Sequence, residues 1–300
     1  MADPDLTVSE LVDDFERSLK AARKSPKTVH GYTDAARRFA RFLDDHGMST
    51  GVGDVERQHV EAWVIDQVER HAPATAAGRY RYLQQFWRWV VTEGEREVSP
   101  MANMSPPKLP VRPVPVFELT ELRALLSATS GTTFEDRRDH AVIRLFMATG
   151  MRLGEIAGLT TESLVREEQA VLVIGKGDRG RWVPYSDKAA QALDRYLRLR
   201  RRHPYAHVAA LWIGQRGALS SSGITQLLRR RARTAGVADV HPHRFRHDTA
   251  HRAQVAGISE SDLMEVFGWR SPEMVRRYGA SARAERARAN FRRLDLEADL

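Results

Sequence analysis

The chain has 300 residues, a formal net charge of +8 from 47 Lys+Arg against 39 Asp+Glu, and no cysteine. Without cysteine there are no disulfides, thiolate nucleophiles or zinc fingers, and no apolar run reaches the roughly 18 residues of a membrane span. The acidic start Met1-Ala2-Asp3-Pro4-Asp5 lacks an apolar stretch, so no secretory leader and a cytoplasmic chain are expected. The length suits two domains, and the basic balance fits either a polyanionic partner or a genome rich in arginine codons.

The first third reads as helices. Leu11, Phe15 and Leu19 recur every fourth residue, one helical face. Ser25-Pro26-Lys27-Thr28 opens a second helix with Tyr32, Phe39, Phe42 and Leu43, stopped by Gly47. Asp54 is the expected cap of a third helix through Val60, Trp63 and Val64. A fourth runs from about Thr75 to Thr92, with Tyr82, Phe86, Trp89 and Val90 as its apolar set. From Ser99 to Pro110 prolines are too dense for a helix interior, so an extended linker is expected. This divides the chain into residues 1–105, a linker 106–116, and residues 117–300.

After the linker, Thr120 is the expected N-cap of a helix from Glu121 to Ala128, and Asp139 to Ala148 reads as a buried helix. Val171–Ile174 and Arg181–Pro184 form a hairpin around the turn 175–180, whose glycines supply the positive φ angles a tight turn needs. The remainder reads as helical. The fold class expected is mainly α with a small β-sheet (α+β).

Several segments carry chemistry. In Thr149-Gly150-Met151-Arg152-Leu153-Gly154-Glu155, Arg152 sits among apolar residues and calls for an anion or a carboxylate, since a buried unpaired charge is costly; a structural pair with Glu155 satisfies it equally. Lys176 at the hairpin tip is either functional or an ordinary turn lysine. His243 and Arg246 fall on one helical face, and His243, His247 and His251 follow at i, i+4, i+8. A metal site there is disfavoured because Arg244, Arg246 and Arg252 would repel a cation. Ser271 and Pro272 open a helix that carries Tyr278, either a nucleophile or a core tyrosine. Arg195–Arg202 and Arg229–Arg233 are dense in arginine, read as DNA-facing surfaces or solvated faces.

Taken together, Arg152, Lys176, His243, Arg246, Trp269 and Tyr278 resemble the catalytic constellation of the tyrosine recombinase, or phage integrase, family. Ser25-x-x-Thr28-x-x-x-Tyr32 and Arg38-Phe39-x-x-Phe42-Leu43 are similar to that family's helical, SAM-like core-binding domain. The resemblance implies site-specific cutting and rejoining of DNA through a 3′-phosphotyrosyl intermediate on Tyr278, without metal, ATP or other cofactor. It implies double-stranded DNA with specific core sites as partner, contacted by Lys27 and Thr28 among others. It further implies a monomer or weak dimer that forms a homotetramer on DNA through its tail, 282–300, with an accessory DNA-bending protein and association with the nucleoid. Where most of that family carries His, this chain has Trp269; indole only donates and shuttles no proton. No arm-binding domain is expected ahead of the core-binding domain. Phage or mobile-element integration is the expected role; the alternatives are chromosome-dimer resolution, relaxation of the type IB topoisomerase kind, and non-catalytic DNA binding.

Overall fold

A computed structural model describes residues 6–108, 115–174, 180–275, 287–288 and 291, and the chain divides into two compact units, residues 1–112 and 113–300.

In the first unit, α1 (Val8–Ala21) starts at Thr7, whose hydroxyl and the Glu10 carboxylate satisfy each other's backbone N–H. Helix α2 (Pro26–Asp45) starts at Ser25 with proline in its first turn, and Gly47 follows its end at φ 62°. Then come α3 (Arg57–Arg70) and α4 (Pro73–Thr92). Leu11, Phe15 and Leu19 are buried, as their spacing requires, and Phe39 meets Trp63 and Trp87 edge-on at 5.6 and 6.2 Å.

Three expectations are corrected in this unit. Asp54 does not cap α3: its carboxylate accepts from the Ser49 hydroxyl at 2.8 Å, Val55 is fully buried, and Glu56 takes the cap position. Tyr82 is not core but 40% exposed; α4 buries Tyr80, Leu83, Phe86, Trp87 and Val90, because its aromatics occupy more than one face. The proline-rich stretch is not extended from Ser99 onward. Residues 99–103 turn back, and Met101 inserts into the first unit's core at 2% exposure.

In the second unit, α5 (Leu119–Ser127) is capped by Glu118 with Glu121, so Thr120 lies inside the first turn and does not cap. Helix α6 (Phe134–Thr149) is longer than the expected Asp139–Ala148, because the Thr133 hydroxyl accepts from the Asp136 N–H and starts it earlier. Next is α7 (Leu153–Ala157). Strands β1 (Leu164–Val165), β2 (Ala170–Ile174) and β3 (Gly180–Pro184) form an antiparallel sheet in that order, with Val171 opposite Val183 and Ile174 opposite Gly180. Helix α8 (Asp187–Arg200) precedes a short hairpin, β4 (Ile213–Gly214) and β5 (Gly217–Ala218), absent from the sequence reading. Helices α9 (Ser221–Ala235), α10 (Pro242–Val255) and α11 (Glu260–Phe267) follow, then a helical turn at 272–275. Val142, Phe146, Val171, Val183, Leu193, Trp212, Leu228 and Phe245 make one continuous core. Among the described residues no helix is long and apolar enough to cross a membrane.

Candidate active site

The site forms where α6, α10 and α11 end or begin close together. Helix α6 stops at Gly150 (φ 57°), and a Cβ there would stand 2.7 Å from the Phe267 ring, so only glycine fits the turn. Two residues on, Arg152 occupies the cap position of α7. Its backbone N–H donates to Glu155 Oε2 at 2.8 Å and its Nη1 to Glu155 Oε1 at 2.9 Å. The side chain is 46% exposed, not buried as its apolar neighbours suggested, because the i,i+3 pair holds it across the mouth of the turn. Nη1 also reaches Phe267 O and Nη2 reaches Gly268 O, both at 3.4 Å.

Arg246, on α10, approaches the same place from inside. It is 2% exposed and donates through Nη1 to Gly150 O at 2.9 Å and through Nη2 to Phe267 O at 2.6 Å. Its guanidinium lies 4.9 and 5.3 Å from the Phe267 and Trp269 ring centroids, and those rings stack on each other at 4.7 Å. Arg152 and Arg246 thus converge on one carbonyl, Phe267 O. Two forked cations side by side, one buried and one half-exposed, suit the oxygens of a tetrahedral anion.

Gly268 ends α11 at φ 60°, and Trp269 after it is 5% exposed. Val275, on the turn that leads toward Tyr278, is buried in the same small cluster with Ala250, Leu263, Phe267 and Trp269. His243 lies in the first turn of α10, exposed, with its ring edge-on to His247 at 4.6 Å. Lys176 and Tyr278 fall outside the described residues, as does nearly all of 282–300. In the first unit, Lys27 is exposed in the first turn of α2, and the Thr28 hydroxyl is 2.7 Å from Ser25 Oγ. Among the described residues no group of three His, Cys, Asp or Glu side chains is placed to hold a metal.

The arginine-dense segments are only partly surface. Arg200 is 5% exposed and donates to the carbonyls of Ala206, Val208, Ala210 and Leu211, which fixes the loop after α8. Arg230 and Arg231 bind the fully buried Asp139. Arg195, Arg198, Arg201, Arg202, Arg229, Arg230 and Arg233 remain exposed, Arg230 while still reaching Asp139.

Arg181 was missed in the sequence. It is 11% exposed on β3, donates from Nη2 to Glu155 Oε2 at 2.9 Å and from Nε to Val266 O at 3.0 Å. The signal was there: strand alternation puts Arg181 on the same side as Val183, a core position where an arginine needs a partner. Burial pushes the Glu155 carboxyl up, but the bonds from Arg181 and Arg152 outweigh it and hold the group below the usual carboxylate range.

A family model described as the phage integrase family matches residues 115–285, and one described as the phage integrase N-terminal SAM-like domain matches residues 11–95. Tyrosine recombinase XerC of Corynebacterium efficiens is 30% identical over 275 residues, covering 90% of this chain and 86% of that protein. Tyrosine recombinase XerC of Roseiflexus castenholzii is 32% identical over 275 residues, with 87% and 85% covered. The fold is similar to that of the Tn1549 transposon integrase in complex with transposon right end DNA, at a TM-score of 0.77 and 20% identity, covering 96% of this chain and 99% of that one.

Proposed function

Since the chain belongs to the phage integrase family of tyrosine recombinases, we propose that it cuts and rejoins double-stranded DNA at specific core sites through a covalent link to Tyr278. The observation that carries this reading is the convergence of Arg152 and Arg246 on Phe267 O, beside Trp269 and the helical turn that leads to Tyr278.

In this reading the scissile phosphate sits between the two guanidiniums. The Tyr278 phenol oxygen attacks phosphorus, and the 5′-oxygen leaves. The pentacoordinate transition state carries added negative charge, which Arg152 and Arg246 hold with forked N–H donors; Trp269 Nε1–H adds a donor. Lys176 protonates the leaving oxygen, a general-acid contribution on the order of 10²–10⁴ in rate. His243 takes the phenol proton, bridging a pKa of about 10 and neutral solution. The phosphotyrosine keeps a phosphodiester bond, so religation runs the same steps backward and needs no ATP, metal or other cofactor.

Residues 1–105 act as the core-binding domain, with Lys27 and Thr28 toward DNA, 106–116 as linker and 117–300 as catalytic domain. Each chain contributes one Tyr278, and exchange requires four strand cuts, so four protomers assemble on two duplexes, with a DNA-bending protein as accessory. The protein works in the cytoplasm, on the nucleoid. The expected role is phage or mobile-element integration. Relatives from Corynebacterium efficiens and Lacticaseibacillus casei are named as XerC and XerD recombinases, which supports chromosome-dimer resolution as the second reading. An attachment-site core beside the gene, among phage genes, marks integration; its absence marks the second role.

The test is trapping on a nicked suicide substrate. Tyr278→Phe should bind half-site DNA as the wild type does and form no covalent complex. A covalent band with Tyr278→Phe removes the nucleophile assignment.

A further inference from the structure

We propose that Arg181 is a positioning residue: by engaging Glu155, it keeps the Arg152 guanidinium available to the scissile phosphate. The inference rests on the recombinase reading above and adds to its site a residue that touches no substrate.

Glu155 is one carboxylate between two arginines. Its Oε1 accepts from Arg152 Nη1 at 2.9 Å; its Oε2 accepts from Arg181 Nη2 at 2.9 Å and from the Arg152 backbone N–H at 2.8 Å. A carboxylate and a phosphate compete for the same forked face of a guanidinium. Left with Arg152 alone, Glu155 would close on it as a two-pronged pair, and in DNA already bound along the rest of the protein the scissile phosphate would have to break that pair before Arg152 could hold it. Arg181 prevents this. It neutralises the carboxylate from the far side and holds Oε2 away from the Arg152 side chain.

Arg181 is itself fixed. Its Nε is tied to Val266 O at 3.0 Å, and its guanidinium lies against Gly268, where an added Cβ would be 3.1 Å away at a backbone φ of 60°. Gly268 O and the neighbouring Phe267 O are the carbonyls that Arg152 reaches. One side chain therefore sets both the carboxylate beside Arg152 and the backbone under it. With Nη2 on Glu155 and Nε on Val266 O, the Arg181 guanidinium is turned toward the carboxylate and the end of α11.

The experiment compares the wild type, Arg181→Met, Glu155→Gln and the double variant in single-turnover cleavage of a nicked suicide substrate at saturating DNA. Half-site binding and thermal melting are measured alongside. Arg181→Met should melt within a few degrees of the wild type, bind DNA comparably and cleave about 10–100-fold more slowly, as when an outer partner that orients a charged group is lost. A 5′-bridging phosphorothiolate should not restore it, because the leaving group is not the fault. Adding Glu155→Gln removes the competing charge and should return at least ten-fold of the lost rate. A double variant as slow as Arg181→Met, or slower, overturns the inference, as does Arg181→Met cleaving at the wild-type rate. Should Arg181→Met not fold, Arg181→Gln, which keeps a donor toward Val266 O, takes its place in the same comparison. A wild type that forms no covalent complex overturns the recombinase reading, and this inference with it.

Discussion

His140 lies midway along α6 with Nδ1 2.9 Å from Thr129 Oγ1, while its Nε2 accepts from Arg144 Nε at 3.3 Å. That acceptor role places the proton on Nδ1, which donates to Thr129, whose hydroxyl donates on to Leu126 O at 3.0 Å. Burial, then Arg144, Arg137 and Arg195, push the imidazole from 6.5 down to about 4. The unfolded chain takes up this proton near pH 6.5 and the folded one only near 4. The stability this group contributes is therefore full above about 6.5 and is lost as pH falls from there toward 4. His140→Gln should accordingly lose less melting temperature than the wild type between pH 7.5 and 5; an equal loss contradicts the assignment. Other residues differ in how far the sequence disclosed them. Arg152, Arg246 and Trp269 stand in motifs whose spacing is set by helix ends, and the structure brings them together. Arg181 has no motif around it; its meaning comes from Glu155 and Val266, distant in the chain, and only folding makes them neighbours.

At the scale of elements, one buried carboxylate joins α6 to α9. Asp139 is fully buried; Oδ1 accepts from Arg138 Nε and Nη2 at 2.9 and 2.8 Å, and Oδ2 from Arg230 and Arg231 at 3.1 and 2.7 Å. Arg231 also holds Asp136 at 2.9 Å and the Ala128 carbonyl at 3.1 Å. Asp139→Ala would leave Arg138 and Arg231 buried without their main counter-charge, a loss of about 3–5 kcal/mol. Urea unfolding should show that loss; a change below about 1 kcal/mol would mean the arginines find other partners. Some elements were readable from sequence: Ser25 as the start of α2, Gly47 after its end, and the pairing of β2 with β3; the Thr133 start of α6 was not. Elements capped by glutamate were not, since Glu56 and Glu118 sit next to better-looking caps, Asp54 and Thr120. The pairs Ile213–Gly214 and Gly217–Ala218 are too short to show any periodicity.

For the whole molecule, the basic balance fitted a polyanionic partner or an arginine-rich genome equally, and charge density alone overstated how much arginine lies at the surface. Arg200 and Arg231 spend their donors inside the second unit, and the exposed arginines are a subset of those the sequence offered. The division into two units follows from the proline-rich stretch, although Met101 belongs to the first unit's core and not to a connector. Covalent catalysis by Tyr278 is tested most directly by mass spectrometry of the protein trapped on a nicked suicide substrate and digested with trypsin and nuclease. Cleavage after Arg277 and Arg283 releases a short peptide that begins at Tyr278. Catalysis by Tyr278 leaves a nucleotide adduct on that peptide, fragmenting to modified Tyr278. An adduct on any other residue, or trapped DNA with the Tyr278 peptide recovered unmodified, contradicts it.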